Sequence, residues 1–135
     1  MSQVSVELRA VADAAYGALN SGDLDGFLAL TAEDVEFTSM VAEAEGTIFR
    51  GHAGVRAWWE TVPDAFQDGP RWEVLDMRGS GDQAILKFRV TGTLAGVEVG
   101  QTMWQAARLR AGKLGWWAFF RTEHEALDAV GLRDG

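Results

Sequence analysis

Two histidines, one tyrosine and a few neutral polar residues on otherwise apolar strands are the side chains of this chain that could do chemistry. His52 titrates in the range where acid–base catalysis works. It follows Gly51 at the head of a helical segment, where the macrodipole favours the neutral ring, and the Gly-His step serves equally as a structural turn. His124 lies within Thr122-Glu123-His124-Glu125, a capping-box pattern, and reads as surface. The two histidines are far apart, with no carboxylate at ligand spacing, so no metal is expected. Tyr16 could bring a phenol to a pocket. Ser39, Gln101 and Gln105 sit on strand faces that read as inward, Ser39 beside Phe37 and the two glutamines beside Met103 and Ala107. Buried hydroxyls and amides need partners. Those partners are either one another and water, or the carbonyl or hydroxyl of a ligand. Serine and glutamine do not shuttle protons at neutral pH, so catalysis would rest on polarisation by Gln105, Tyr16 or His52.

Six Trp and seven Phe are many for 135 residues. A buried aromatic withdraws about 150–250 Å² from water, which at about 25 cal/mol per Å² is several kcal/mol before entropy. Phe37, Trp58, Trp59, Phe66, Phe88, Trp117 and Phe119 suit a pocket for a flat or polycyclic apolar molecule, and suit a solid core or an interface equally well. Trp104, Trp116 and Phe120 fall on the opposite strand face. Exposed aromatic patches mark partner surfaces, so a homodimer through the outer sheet face is expected.

The elements that must position these residues follow from periodicity. Val4, Leu8, Val11, Ala15 and Leu19 recur at helical spacing; Asn20-Ser21-Gly22 ends that helix and Asp23 caps a second carrying Leu24, Phe27 and Leu28. From Val35 the period becomes two, with Val35, Phe37 and Ser39 on one face. An acidic loop around Glu43, Glu45 and Gly46 then leads through Ile48-Phe49-Arg50, as in a hairpin. Gly51-His52 opens a third helix with Val55, Trp58, Trp59, Val62 and Phe66 as its stripe, and Pro63 predicts a kink or stop near Thr61. Next comes a strand with Trp72, Val74 and Asp76 on one side, then the turn Gly79-Ser80-Gly81-Asp82. Ala84, Leu86, Phe88 and Val90 alternate along the following strand. A long strand spans Val97 to Arg110, Ala111-Gly112-Lys113 turns the chain, and a last strand runs from Leu114 to Phe120. A capped helix reaches Val130 and stops at Gly131.

Sequential strands on short turns form an antiparallel sheet, one face of which amphipathic helices must cover. Gly92, Gly96, Gly100 and Gly115 are candidate bending points. The expected fold is therefore α+β: a curved antiparallel sheet wrapped around N-terminal helices, cone-shaped, with a central pocket, in one domain over residues 1–135.

Composition narrows the partners. Twelve basic and twenty acidic residues give a net charge of −8. That argues against nucleic acid, which needs a basic footprint, and against an anionic membrane surface. The absence of Cys removes disulfides, thiolate nucleophiles and zinc–thiolate sites. The N-terminus lacks a basic start and apolar run, and no stretch has the length of a membrane span. A cytoplasmic protein needing no cofactor is expected.

Four stretches resemble the SnoaL-like proteins of the nuclear-transport-factor-2-like superfamily. They are Tyr16-Gly17-Ala18-Leu19-Asn20-Ser21-Gly22-Asp23-Leu24-Asp25, Ala32-Glu33-Asp34-Val35-Glu36-Phe37, Arg50-Gly51-His52-Ala53-Gly54-Val55-Arg56, and Ala107-Arg108-Leu109-Arg110-Ala111-Gly112-Lys113-Leu114. The tail Glu125 to Leu132 resembles the ending of such proteins too. The resemblance implies a cone-shaped fold that hosts ketosteroid isomerases, polyketide cyclases, dehydratases, epoxide hydrolases and non-catalytic adaptors. A ketosteroid isomerase uses a carboxylate base with a tyrosine and a protonated aspartic acid as oxyanion donors. Under this resemblance Ser39 falls where the base belongs, Ala15 at the tyrosine with Tyr16 adjacent, and Gln105 near both the donor acid and the cyclases' acid/base aspartate. The epoxide hydrolases' arginine–aspartate pairing is missing as well.

Three functions fit. The chain could isomerise, cyclise or dehydrate a hydrophobic ketone or polyketide-like molecule. It could bind an apolar molecule without converting it, or it could be a dimeric scaffold with Trp58, Phe88 and Trp117 plugging the cone.

Overall fold

The computed structural model describes residues 6–38, 48–65, 71–94 and 96–131. Val4, Ser39, Phe66 and the loop carrying Glu43 and Glu45 lie outside them. In chain order the elements are α1 (Val6–Ser21), α2 (Leu24–Ala29), β1 (Thr31–Phe37), β2 (Phe49–Arg50), α3 (Gly51–Ala65), β3 (Arg71–Ser80), β4 (Gln83–Leu94), β5 (Val97–Arg110), β6 (Lys113–Phe120) and α4 (Glu123–Val130). Six strands form one curved, unclosed sheet in the order β2-β1-β6-β5-β4-β3. Among the described residues no helix is long and apolar enough to cross a membrane.

Local chemistry sets the boundaries. Gly22, at φ 75°, turns the chain out of α1, and the Asp23 carboxylate accepts from the Gly26 N–H at 2.9 Å to start α2. The Thr122 hydroxyl accepts from the Glu125 N–H and donates to its carboxylate, completing the box at the head of α4. Gly131 closes α4 in the left-handed region at φ 69°. Asn20 does more than stop a helix. Its side-chain amide donates to the Trp72 carbonyl at 2.9 Å and accepts from the Trp72 N–H at 2.7 Å. The end of α1 is thereby pinned to β3.

Alternation along β4 is as expected: Ala84, Leu86, Phe88 and Val90 are buried under α1, α2 and α3. Ile85 and Ala106, on the other face, pack under Ala126, Leu127 and Val130 of α4. The sheet thus carries two unequal apolar layers, the larger on the concave side.

Four expectations are corrected. β1 begins at Thr31 rather than Val35, because Thr31 and Val35 are both buried; the Thr31 hydroxyl donates to the Leu28 carbonyl and so joins strand to helix. β1 pairs parallel with β6, so the sheet is mixed, although every other pairing is antiparallel. α3 continues through Pro63 to Ala65; a proline this close to the end removes one backbone bond near the last turn, while the helix is anchored further back by the buried Val55 and Trp58. In β3 the register shifts between Val74 and Asp76. This bulge reverses the alternation, exposing Asp76 and burying Met77 in its place. Among the glycines, Gly92 and Gly100 lie within a β4–β5 pairing that runs unbroken from Gln83↔Arg108 to Leu94↔Val97. Register shifts lie at Thr31/Glu36, Val74/Asp76 and Arg108/Leu109, the last leaving Gly115 as the extra residue between Leu114 and Trp116.

Candidate functional site

The concave face and the helices enclose an apolar cavity. Helix α1 supplies Leu8, Ala12, Ala15, Tyr16 and Leu19, a stripe on one side of the helix, while Phe27 and Trp58 come from α2 and α3. The sheet contributes Trp72, Leu86, Gln105, Ala107, Leu114, Trp117 and Phe119. The space open to the centre of a water molecule is about 30 Å³, room for about two waters. The pocket expected for a flat polycyclic molecule is thus largely filled by the protein's own rings.

One polar pair interrupts the apolar wall. The Tyr16 hydroxyl donates to Gln105 Oε1 at 2.6 Å. Because Gln105 accepts through its oxygen, the N–H groups of its amide remain as donors. Tyr16 is 7% exposed, and desolvation pushes its phenol well above the usual tyrosine range. It therefore stays protonated and acts as a donor. Among the described residues no Asp, Glu, His, Lys or Arg lines the cavity, and no cluster of three such acids or histidines could hold a metal. The site can polarise or orient a carbonyl, and among the described residues lining it none exchanges protons near neutral pH.

Of the residues singled out in the sequence, Tyr16, Gln105, Trp58, Trp117 and Phe119 meet at this cavity. Others back its wall. Phe37 is stacked between Phe49 at 5.2 Å and Trp117 at 4.2 Å. Phe88, fully buried, touches Tyr16, Trp72 and Phe119. Buried Met103 pairs across from Phe88, and half-buried Trp59 lies against Phe27 at 5.5 Å. Gln101 shares the inward alternation but is exposed; parity assigns a face, not a cover, and the sheet extends past the cavity. His52 is away from the cavity, its Nε2 3.1 Å from the Thr31 carbonyl. It ties the head of α3 to β1.

The sequence did not single out Leu8, Leu19, Phe27, Trp72, Leu86 or Leu114 for this site. Trp72 had a signal, since it heads the inward stripe of β3 and is the residue that Asn20 clamps. The outer aromatics also differ from expectation. Trp104, Trp116 and Phe120 are half-buried beside α4. Lys87 Nζ sits 5.9 Å from the Trp104 ring centre, and the Arg108 guanidinium lies 4.7 Å from that of Trp116. The bare aromatic patch is already partly dressed by the chain itself.

Comparison with known proteins agrees with this architecture. The family model described as "SnoaL-like domain" matches residues 12–127. No curated protein matches. Among solved structures, TerC co-crystallised with polyporic acid is 21% identical over 90% of this chain and 98% of its own, with a TM-score of 0.73. A candidate polyketide cyclase from Sinorhizobium meliloti is 20% identical over 82% of this chain and 93% of its own, with a TM-score of 0.68. A nuclear-transport-factor-2-like protein of unknown function from Burkholderia pseudomallei K96243 is 22% identical over 92% and 97%, with a TM-score of 0.74. These likenesses are of fold. Matched by the family model from Ala12 to Leu127 and built as a helix-lined open sheet, the chain belongs to the SnoaL-like domain family, with the nuclear-transport-factor-2-like fold.

Proposed function

We propose that this protein binds a small, neutral, largely apolar molecule in the central cavity and holds one carbonyl or hydroxyl of it against the Tyr16–Gln105 pair. The observation that carries this reading is that pair, a 2.6 Å hydrogen bond set in a wall otherwise built of aliphatic and aromatic side chains. A charged ligand finds no counter-charge among the described lining residues, and burying an unpaired charge is prohibitive. A neutral carbonyl meets the Gln105 N–H donors instead. Polyporic acid in TerC and the cyclase assignment of the Sinorhizobium meliloti protein lend support to a small-molecule role for this fold.

A second reading, favoured by the same pair, is catalytic: isomerisation, cyclisation or dehydration of a hydrophobic ketone, with Gln105 and Tyr16 polarising the carbonyl. Among the described lining residues there is no base, so in such an enzyme the proton acceptor would have to come from outside them. Calorimetry against a panel of neutral ketones and their carboxylate analogues, with product analysis, separates the readings. Neutral ketones are expected to bind, and Gln105→Leu is expected to weaken them about tenfold or more, the loss of one hydrogen bond worth about 1.4 kcal/mol. Recovery of unchanged ligand identifies a binding protein, and new product an enzyme. Equal affinity in Gln105→Leu overturns both.

The reading includes a cytoplasmic homodimer, paired through the strip of outer sheet face that α4 leaves around Trp104, Trp116 and Phe120. Sedimentation at micromolar concentration is expected to show twice the 14.7 kDa chain mass. A single 14.7 kDa species removes the dimer and leaves the cavity untouched.

A further inference from the structure

We infer that Asn20 is the positioning residue for the Tyr16–Gln105 pair and acts on it through Trp72. The functional meaning of this role rests on the pair holding the ligand, but the coupling can be measured with no ligand present.

Among the described residues β3 is the last strand of its sheet. An edge strand presents backbone N–H and C=O groups that no neighbouring strand takes up. At Trp72 both are taken by one side chain from α1. Asn20 Oδ1 accepts from the Trp72 N–H at 2.7 Å, and Asn20 Nδ2 donates to the Trp72 carbonyl at 2.9 Å. A primary amide offers a carbonyl acceptor and an N–H donor side by side, the pattern of a peptide group. Asn20 therefore stands where one residue of a further strand would. Two bonds fix both the distance and the rotation of Trp72 relative to α1, which a single bond would not.

Trp72 carries the clamp into the cavity wall. It is 6% exposed and lines the cavity together with Tyr16 and Gln105. Tyr16 precedes Asn20 by four positions in α1, one turn away on the same face of the helix. One residue of that face grips the Trp72 backbone, and the other sets its ring against the Trp72 indole, with centroids 6.1 Å apart. Phe88 completes a triangle, 6.1 Å from Tyr16 and 5.6 Å from Trp72. The Tyr16 ring is thus held on two sides, with its hydroxyl 2.6 Å from Gln105 Oε1. Without the clamp, one of those two sides is no longer fixed to α1 and the bond to Gln105 loosens.

A double-mutant cycle in urea unfolding tests this. Gln105→Leu alone should lower the folding equilibrium constant about fivefold or more, the equivalent of the lost Tyr16 bond. In an Asn20→Ala background the same substitution should cost less than about twofold, because coupled sites do not add. Val130→Ala, in the α4 layer on the far face of the sheet, is the control, and there Gln105→Leu should keep its full effect. If Asn20→Ala does not fold, Asn20→Asp replaces it, keeping the acceptor for the Trp72 N–H and removing the donor. A second readout would not respond to a residue that merely stabilises α1. The chain has one tyrosine, so carbon-13 labelling of tyrosine gives a single phenol resonance. In the folded Asn20 variant it should move toward its position in urea-unfolded protein, and in Val130→Ala it should stay. Additive costs in the Asn20–Gln105 cycle, or an unmoved Tyr16 resonance in the folded Asn20 variant, overturn the role. Either result leaves ligand binding to the calorimetry, whereas equal ketone affinity in Gln105→Leu removes the ligand from the pair and leaves the coupling intact.

Discussion

Replacing Trp117 with alanine is expected to destabilise the fold by about 3–5 kcal/mol, the range for truncating a large buried aromatic. Trp117 is 2% exposed and stands where four elements converge. It stacks on Phe37 of β1 at 4.2 Å, meets Phe27 of α2 edge-on at 5.8 Å, and lies 6.4 Å from Trp58 of α3. Each such aromatic pair adds about 0.5–1.5 kcal/mol beyond the area buried. Domains of this kind hold only about 5–15 kcal/mol in all, so the variant should lose roughly a fifth or more of its stability. Trp104→Ala is the comparison, because that ring is half-buried on the outer face and its loss should cost less than half as much. Urea unfolding followed by circular dichroism measures both. A Trp117→Ala loss no greater than that of Trp104→Ala would mean that the concave cluster is not the centre of stability.

Alkali is expected to unfold the protein through its one tyrosine. Burial raises the Tyr16 phenol above its ordinary value of 10.0. The sign follows from proton binding. Below pH 10 the phenol is protonated in both folded and unfolded chains, and its full contribution to stability is present. Above pH 10 the unfolded chain releases the proton and the folded one retains it. Stability then falls by up to about 1.4 kcal/mol for each pH unit until the raised folded value is reached. Having a single tyrosine makes the measurement clean, since any tyrosinate absorbance reports Tyr16 alone. No tyrosinate should appear before the unfolding transition, whereas urea-unfolded protein should titrate normally. In Tyr16→Phe the steep alkaline loss should flatten, though the variant starts lower for want of the Gln105 bond. Reversible ionisation near pH 10 in folded protein would show that the phenol is not sealed in the cavity wall.

The Tyr16–Gln105 hydrogen bond and the titration are linked physically. A phenol that cannot ionise remains a hydrogen-bond donor at every physiological pH, and its bond to Gln105 is strengthened by the low dielectric around it. The ligand-orienting role depends on that permanence.

Much of this molecule is legible without coordinates, because its signals are local. Helix stops at Asn20-Ser21-Gly22, the cap at Asp23, the box at Thr122 and the turn at Gly81-Asp82 each rest on contacts within a few residues. Strand alternation assigns Phe37, Phe88, Gln105 and Trp117 to the concave side for the same reason. What the chain alone could not decide depends on pairing across long separations. The parallel seam of β1 and β6 joins segments some eighty residues apart, and the bulge that trades Asp76 for Met77 appears only once β3 lies against β4. Tyr16 reaches Gln105 across 89 positions, whereas His52, chemically the more attractive residue, turns to the Thr31 backbone instead. Residue type and spacing determine which faces are apolar and where elements begin and end. Tertiary packing determined how much space those faces leave between them, and it left room for about two waters because rings from α2, α3 and four strands fill the cone.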